Sequence, residues 1–528
     1  MITVFLSSII TGFTCRIALF VSLFFITRKI RLGIREYLID RRARAVNARL
    51  APRVDSALPF GLFFVWRRLL MYSTGVPGDA VANFRNFPEG TQVIRTREIG
   101  FDVIHTLSHL DAKHVLTTGF EKWGKAPPFV EAFKPLLGEG VFLSDQRGLW
   151  EWHRALTRPH FLRERGVANV KVIEEHMERV LVWLEKKAEA QEVVDIQEIF
   201  GSFTLTVATQ HYFGHCVDTL NHKFFDRPMN SGSIDAARFV QDFTDAQFQC
   251  MKYMALPSMV RHLLQRFQIG NKAIRGVSRV VDDIIADAEK KFRQQSLVTE
   301  EQEIPQNLFD HLYQSECSAE LLRHQLINIL LAAYDTSTCL LTTCIYELAG
   351  RNELWNKLRD EVATLPDNPV SLLEQVRKLK LLNAVINETL RLHPPVWYNG
   401  RYSFEEDVLP SGIYVPAGAR CQFYVRQFQR DPLIWGKNAE DFVPERWLDG
   451  KQNVHSKDPF VYQPFGAGPR LCLGQQAAYT MASVVLARLL QSFSKVELAE
   501  PLSSRTNFKE WPSLTLKVRG GLWVRFQK

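Results

Sequence analysis

Cysteine is scarce in this sequence, with 8 residues among 528, and no two of them are spaced as Cys-x-x-Cys. Zinc ribbons and thioredoxin-like redox sites are built on such pairs, so both are disfavoured. So few cysteines also exclude a disulfide scaffold and fit a reducing compartment such as the cytosol. A glycine-rich dinucleotide fingerprint after a strand is absent as well, so we do not expect the chain to bind a nicotinamide cofactor itself.

The body of the chain also lacks an excess of either charge. The formal net charge is +8, but residues 1–53 contain ten Lys and Arg against two acidic residues, which leaves the remainder neutral. A nucleic-acid-binding body is disfavoured because its basic excess would have to lie on the folded part. With 46% hydrophobic and 23% charged residues, the composition is that of a globular protein. No nucleic-acid partner is expected.

Residues 2–27 are almost entirely apolar or small, and about 20 such residues suffice to cross a bilayer. Arg16 interrupts the run at a cost of about 2.5–3.5 kcal/mol, which the many Ile, Leu, Phe and Val residues offset. The positive-inside rule places the rest of the chain in the cytosol, because four basic residues follow at once: Arg28, Lys29, Arg31 and Arg35. A cleaved signal peptide would need a small-residue cleavage site, which is missing. A half-inserted segment is the main alternative.

We therefore divide the chain into three parts. Residues 1–27 are a membrane anchor, residues 28–60 a basic linker that contains prolines, and residues 61–528 one large folded domain. No repeat, low-complexity segment or second shift in composition divides the last part.

Helical periodicity dominates this domain, with apolar residues spaced three and four apart. We predict helices at 166–190, 273–292, 319–348 and 372–392. The third of these is the longest and most apolar, and Ser318 precedes it as an N-cap. Strand-like alternation is limited to 92–104, 396–425 and the C-terminal segment 494–526. The predicted fold class is mainly α with a minor β-sheet region.

The strongest local motif is Phe-Gly-Ala-Gly-Pro-Arg-Leu-Cys-Leu-Gly at residues 465–474. Its glycines and proline predict an irregular loop, and an apolar helix begins near Gln475. Backbone N–H groups and the positive end of that helix would stabilise a thiolate at Cys472. Such a thiolate is an electron-donating axial ligand for haem iron, and Arg470 is placed to reach a haem propionate. The alternative is a structural cysteine buried in a glycine-rich turn.

A second motif places Glu388 and Arg391 three residues apart on one helix, close enough to pair. The helix is otherwise apolar, which indicates a buried pair, and a buried pair needs further partners for its donors and acceptors. The later segment Pro-Glu-Arg-Trp at 444–447 supplies a candidate partner, Arg446.

Taken together, these motifs resemble the cytochrome P450 family of haem-thiolate monooxygenases. The cysteine loop matches the family pattern Phe-x-x-Gly-x-Arg-x-Cys-x-Gly at every specified position, and the resemblance covers roughly residues 60–528. It implies the cytochrome P450 fold, preceded here by a transmembrane helix, with heme b as the cofactor and Cys472 as the iron ligand. By the same resemblance Glu388, Arg391 and Arg446 form a structural triad. Haem-binding roles fall on five residues: Trp150, Arg154, Arg401, Phe465 and Arg470.

The long helix contains Ala-Ala-Tyr-Asp-Thr-Ser at residues 332–337. A buried carboxylate beside a hydroxyl is costly unless it is paired or used, and cleavage of the O–O bond of O2 consumes protons that such groups can relay. The resemblance assigns this catalytic role to Asp335 and Thr336. The sequence departs from the family at Ala333, where glycine is usual.

The expected activity is insertion of one oxygen atom from O2 into an apolar substrate, by hydroxylation or epoxidation. The resemblance implies electrons from NADPH through a separate cytochrome P450 reductase, with cytochrome b5 as a further candidate partner. It also implies a single-pass protein of the endoplasmic reticulum, in contact with membrane lipid, whose catalytic domain is cytosolic. Several stretches resemble the fungal group that includes alkane and fatty-acid hydroxylases, such as Cys-Leu-Gly-Gln-Gln at 472–476.

Three alternatives remain open. Fungal relatives also tailor secondary metabolites, so the same chemistry could act on another apolar scaffold. A haem-binding sensor or carrier without turnover would leave Asp335 and Thr336 without a purpose. A single-span membrane scaffold with a degenerate body would not retain haem.

Overall fold

The computed structural model describes most of the chain, and the helices and strands below are taken from the described residues. The described residues are 2–54, 63–64, 66–67, 70, 84, 86–98, 101–145, 148–161, 166–224, 235–296, 307–448, 458–512 and 514–528. Most side chains of the predicted membrane anchor and residues 55–60 of the predicted linker lie outside this part. The anchor therefore stays a prediction.

The helices follow the apolar spacing of the sequence, and they carry most of the mass. Their bounds are α1 Ile2–Ala45, α2 His109–Leu116, α3 Pro127–Leu137, α4 Leu149–Thr157, α5 Gly166–Glu189, α6 Ile196–Phe213, α7 Thr219–Phe224, α8 Ala236–Ala255, α9 Ser258–Arg266, α10 Lys272–Ser296, α11 Leu308–Gln314, α12 Ala319–Leu348, α13 Asn352–Val362, α14 Pro369–Val376, α15 Lys380–Leu392, α16 Val425–Phe428, α17 Pro432–Trp435 and α18 Gln475–Ser492.

The strands are short and form small sheets. Their bounds are β1 Val93–Glu98, β2 Phe101–Thr106, β3 Trp123–Gly124, β4 Val194–Asp195, β5 Asn399–Ser403, β6 Asp407–Val408, β7 Tyr414–Val415, β8 Arg420–Phe423, β9 Lys495–Leu498, β10 Glu510–Pro512, β11 Leu516–Val518 and β12 Trp523–Gln527. One sheet has the order β1-β2-β8-β5-β3, and a second has β4-β12-β9. Among the described residues helices predominate and strands are few and short, so the predicted mainly α class with a minor sheet is confirmed.

Helix α12 is the central element of the core. The Ser318 side chain accepts from the Leu321 N–H at its start, as predicted, and the helix packs against α6, α10, α15 and α18. Within the described residues, α12 has the length and hydropathy that could cross a membrane. Most of its surface is buried by other elements of this protein, so we describe it as a core helix.

The helix predicted at 372–392 is in fact two helices, α14 and α15. The break comes at Leu379, whose backbone is extended with φ −68° and ψ 108°, and the Asn383 side chain caps the Leu379 carbonyl. No glycine or proline marks this turn in the sequence, so periodicity alone runs the two helices together. The turn redirects α15 and thereby sets where Glu388 and Arg391 lie.

A buried ionic cluster joins the C-terminal ends of α12 and α15 to the start of β10. The His393 ring lies between two carboxylates, 2.8 Å from Glu347 on one nitrogen and 2.8 Å from Glu510 on the other. Arg426 also pairs with Glu510, and Arg351 pairs with Glu347. Burial acts to raise the pKa of Glu510, but Arg426 and His393 outweigh it and lower that pKa to about 2. The cluster fixes these three elements against one another.

This lowered pKa predicts an acid-dependent loss of stability. Because the folded pKa lies below the unfolded one, the stabilisation is full above about pH 4.5 and disappears as the pH falls towards 2. A shift of this size corresponds to about 3 kcal/mol at most. We expect Glu510→Gln to be less stable at pH 7 and to show a shallower acid slope in denaturant titrations. An identical slope for the two proteins would contradict this account, and exposed Glu405→Gln is the control.

Candidate active site

Cys472 lies in a loop whose backbone is shaped for a thiolate. Its N–H donates to the Phe465 carbonyl at 3.1 Å, and the N–H groups of Gly474 and Gln475 donate to its sulfur. Burial raises the pKa of the Cys472 thiol above its ordinary value, and these donors together with the Arg154 charge oppose that rise. Although Cys472 has accessible surface, that surface faces an internal cavity and not bulk solvent.

Glycine is required at one position of this loop. Gly468 has φ +68°, and a Cβ there would come within 2.0 Å of the Leu116 carbonyl oxygen at the end of α2. The loop therefore packs directly on the backbone of α2, and this contact fixes the position of the loop that carries Cys472.

The cavity has a volume of about 480 Å³ and lies between the Cys472 loop and the middle of α12. Ala332, Ala333 and Thr336 line it from α12, and the lining is mainly apolar. The predicted haem-binding residues all line it too, namely Trp150, Arg154, Arg401, Phe465, Arg470 and Cys472. The structure thus brings together residues that are separated by more than 300 positions in the sequence.

A cluster of positive charges lines one edge of this cavity. It comprises Lys125, Arg401 and Arg470, with Asp145 as the acidic neighbour. Burial lowers the pKa of Lys125 well below its usual value, and burial followed by repulsion from Arg470 lowers that of Arg401 to about 10. Three basic groups with one carboxylate favour binding of further anions, because an anion beside them stabilises the charged forms that burial disfavours. Two propionates would supply it, so the residues present fit haem.

Arg470 and Trp150 form one wall of this cluster. Arg470 donates to Asp145 and to the Ser144 carbonyl, each at 3.0 Å, and its guanidinium lies 4.3 Å from the centre of the Trp150 ring. Arg154 lines the cavity and makes a further contact. It donates to the Leu471 carbonyl at 2.9 Å, so it also braces the backbone next to Cys472.

The sequence alone did not indicate Lys125 or Asp145. The Asp145 carboxylate accepts from the Lys125 backbone N–H at 2.7 Å, and a Cβ on Gly124 would come within 2.2 Å of that carboxylate. Neither residue belongs to a recognised motif, and 20 positions separate them. The Trp-Gly-Lys triplet at 123–125 was the one available signal, since Gly124 permits the close approach.

Glu388, Arg391 and Arg446 meet at a buried site next to the cavity. Arg391 donates twice to the Glu388 carboxylate, at 2.8 Å each, and both side chains are 0% exposed. Its other N–H groups reach the carbonyls of Gln429, Ala439 and Asp441. Arg446 donates to the Glu388 carboxylate at 3.2 Å, and the Trp447 indole N–H donates to the same carboxylate at 3.0 Å. This arrangement fastens the segment that leads to the Cys472 loop.

The two predicted catalytic residues, Asp335 and Thr336, differ from each other in their relation to the cavity. Thr336 lines the cavity, and its hydroxyl donates to the Ala332 carbonyl at 2.6 Å within α12. Asp335 is 2% exposed and does not line the cavity; it pairs with Lys517 of β11 at 3.1 Å. Burial acts to lower the pKa of Lys517, but Asp335 raises it above its ordinary value. The structure therefore brings Thr336, but not the Asp335 carboxylate, to the cavity surface.

Comparison with known proteins agrees with this geometry. The family model described as Cytochrome P450 matches residues 58–523. The chain belongs to the cytochrome P450 family. The resemblance seen in the motifs is thereby confirmed, and with it membership of a family of haem-thiolate monooxygenases.

Several curated fungal cytochrome P450 proteins are similar over most of their length. Cytochrome P450 52A12 of Debaryomyces hansenii is 32% identical over 468 residues, which cover 84% of this chain and 86% of that relative. Cytochrome P450 monooxygenase himC of Aspergillus japonicus is 33% identical, covering 79% and 72%. Cytochrome P450 monooxygenase FPY7 of Fusarium mangiferae is 32% identical, covering 80% and 79%.

Proposed function

We propose that this cytochrome P450 hydroxylates or epoxidises an apolar substrate above a haem bound by Cys472. The observation that carries the proposal is the position of Cys472 in the cavity wall, with Thr336 and a cationic edge in the same lining. When bound, the haem supplies the activation of O2 from which one oxygen atom is inserted. Electrons are expected from NADPH through a separate reductase, with cytochrome b5 as a further partner.

Each group in the cavity has a distinct task in this proposal. Lys125, Arg401 and Arg470 would hold the two propionates of the haem through charge-assisted hydrogen bonds. The N–H groups of Gly474 and Gln475 stabilise the thiolate of Cys472. The apolar lining excludes water from the reaction, and the Thr336 hydroxyl holds a proton at the cavity surface.

Loss of the Thr336 hydroxyl should uncouple electron use from product formation. Proton transfer by a positioned side chain typically accelerates a reaction about 10²–10⁴-fold. If part of that acceleration is lost in Thr336→Ala, electrons are diverted to peroxide. We therefore expect about ten-fold less product per NADPH and more hydrogen peroxide. Thr336→Ser keeps the hydroxyl and should retain most of the coupling. Full coupling in Thr336→Ala would show that the proton arrives by another route.

The substrate is proposed to be a medium- or long-chain fatty acid or alkane, on the resemblance to the fungal group with those activities. The mainly apolar lining supports this class. The turn at 396–400 also lines the cavity, and it departs from the pattern of that group, which favours the second candidate, oxidation of a secondary-metabolite scaffold.

A spectral titration tests this choice. Fatty acids and alkanes are added to the microsomal holoprotein while the ferric Soret band is followed. A saturable shift towards the high-spin form supports lipid hydroxylation. No shift from haem-loaded protein directs the search to other apolar scaffolds, and the absence of NADPH-dependent oxygen uptake with any substrate would indicate a carrier or sensor.

We further propose a single-pass protein of the endoplasmic reticulum, anchored by residues 1–27 with the catalytic domain in the cytosol. An exposed apolar patch around α9 supports contact with lipid. Its exposed side chains are Met259, Leu263, Phe267 and Ile269, between 54% and 80% accessible.

A further inference from the structure

The basic segment that follows the predicted anchor is not a loose connection in the structure. Helix α1 continues through it as far as Ala45, 18 residues beyond the predicted end of the anchor. Two opposite faces of this part of α1 have different surroundings, and the difference indicates what each face contacts.

One face of α1 is docked on the catalytic domain. Arg35 pairs with Asp102 of β2 at 2.8 Å, and Glu36 pairs with Arg95 of β1 at 2.8 Å. Both partners are nearly inaccessible to solvent, with side-chain exposures of 2% and 7%. One and two helical turns beyond Glu36 on α1, Ile39 and Ala43 are buried against Tyr414. Ionic and apolar contacts therefore fix this helix on the domain.

The opposite face carries an exposed apolar stripe. Its members recur every three or four residues, the spacing of one helix face, and they are 48–66% exposed: Leu23, Ile26, Ile30, Ile34, Tyr37 and Leu38. At about 1.5 Å per residue the stripe is roughly 22 Å long. Soluble proteins rarely expose contiguous apolar surface of this extent.

The charges beside the stripe are basic. No Asp or Glu occurs before residue 36, and the two acidic residues of this region are both paired, Glu36 with Arg95 and Asp40 with Arg44. The exposed basic residues that accompany the stripe are Lys29, Arg31, Arg41 and Arg44, whereas Arg42 lies on the side of Tyr414. An apolar face flanked by Lys and Arg is the pattern of helices that lie in the interface of an anionic membrane.

We propose that the stripe from Leu23 to Leu38 lies in the interface of an anionic lipid surface. The inference rests on the proposed membrane anchoring and extends it beyond residue 27. A helix over residues 2–27 is about 39 Å long, against a hydrocarbon core of about 30 Å, and a helix that is too long tilts. A tilted helix keeps one face towards the bilayer beyond the hydrocarbon, and the exposed stripe is the apolar face of α1 available for that contact.

Because the other face of α1 is docked on the domain, contact of the stripe with lipid would also orient the domain. Because Arg35 and Glu36 join the same helix turn to β1 and β2, the helix and the sheet tilt together. The helix and the domain then move as one unit on the lipid surface, and the domain keeps a set angle to the membrane.

A photo-crosslinking experiment on the full-length holoprotein tests the proposal. Ile34→p-benzoylphenylalanine is compared with Arg42→p-benzoylphenylalanine, which is exposed and near Tyr414 on the docked side. Both are reconstituted in phosphatidylcholine vesicles containing phosphatidylserine, irradiated, and analysed by mass spectrometry. We expect several-fold more lipid adduct at position 34 than at position 42.

Other outcomes overturn the proposal in recognisable ways. Adducts at position 34 to a second copy of the chain would show that the stripe is a protein interface. Equal, low lipid yields at positions 34 and 42 would show that it faces water. Phe13→p-benzoylphenylalanine separates the anchor hypothesis from the stripe hypothesis. Lipid adducts at position 13 but not at position 34 would support the anchor and overturn the stripe. No lipid adduct at either position would overturn both. An unchanged spectrum of the reduced carbon monoxide complex shows that each variant is folded.

Discussion

Replacement of Glu388 by alanine is expected to destabilise the protein by about 3–5 kcal/mol, the usual cost of removing one partner of a buried ion pair. Glu388 is fully buried and accepts from Arg391, Arg446, Trp447 and the Val443 N–H. Its loss leaves two guanidinium groups without their carboxylate inside the protein. Since these contacts fasten the segment that leads to Cys472, we also expect most of the variant to purify without haem.

Denaturant unfolding of Glu388→Ala and of the parent protein checks the first part, and the haem-to-protein absorbance ratio checks the second. Glu445→Ala is a matched control, because Glu445 lies in the same short turn as Arg446 but is exposed. Its stability should change by less than about 0.5 kcal/mol, as for most surface substitutions. A Glu388→Ala variant as stable as this control would show that the triad does not support the fold.

Removal of the Cys472 sulfur is expected to abolish activity and the thiolate-type absorption of the reduced carbon monoxide complex. The reason is chemical, because alanine has no atom that can ligate iron. The fold should survive, since Cys472 faces the cavity and the loop is held by other residues, among them Gly468 against the Leu116 carbonyl and Arg470 on Asp145.

Cys421→Ala is the matched control, because Cys421 also lines the cavity but lies on strand β8. Its spectrum should match that of the parent protein. If Cys472→Ala kept the thiolate-type spectrum, another residue would have to be the ligand, and the proposed site would be wrong. Circular dichroism of both variants establishes that the helices are intact.

Local sequence signals predicted the elements that are long and regular. Helix α12 begins and ends where its apolar spacing and Ser318 indicated, and the hairpin of β1 and β2 was seen as one strand-like segment. The break at Leu379 was missed because it depends on the side chain of Asn383 and not on a glycine or proline.

Site residues within motifs could be predicted, whereas those brought in by tertiary contacts could not. Cys472 and Arg470 belong to one continuous motif, and they line the cavity. Lys125 and Lys517 belong to no motif, and their roles depend on Asp145 and Asp335, which the fold places beside them. The Asp335 side chain could not be oriented from the sequence, because helical spacing gives its face but not the partner on β11.

Arg391 has no spare donor. Its five N–H groups are all used, two on Glu388 and three on the carbonyls of Gln429, Ala439 and Asp441. Lysine has three donors on a flexible stem, so it would leave at least two of these acceptors unsatisfied in the interior. Retaining the positive charge is therefore not enough at this position, and no other natural side chain reproduces the fork that joins α15 to two separate segments of the chain, at Gln429 and at 439–441.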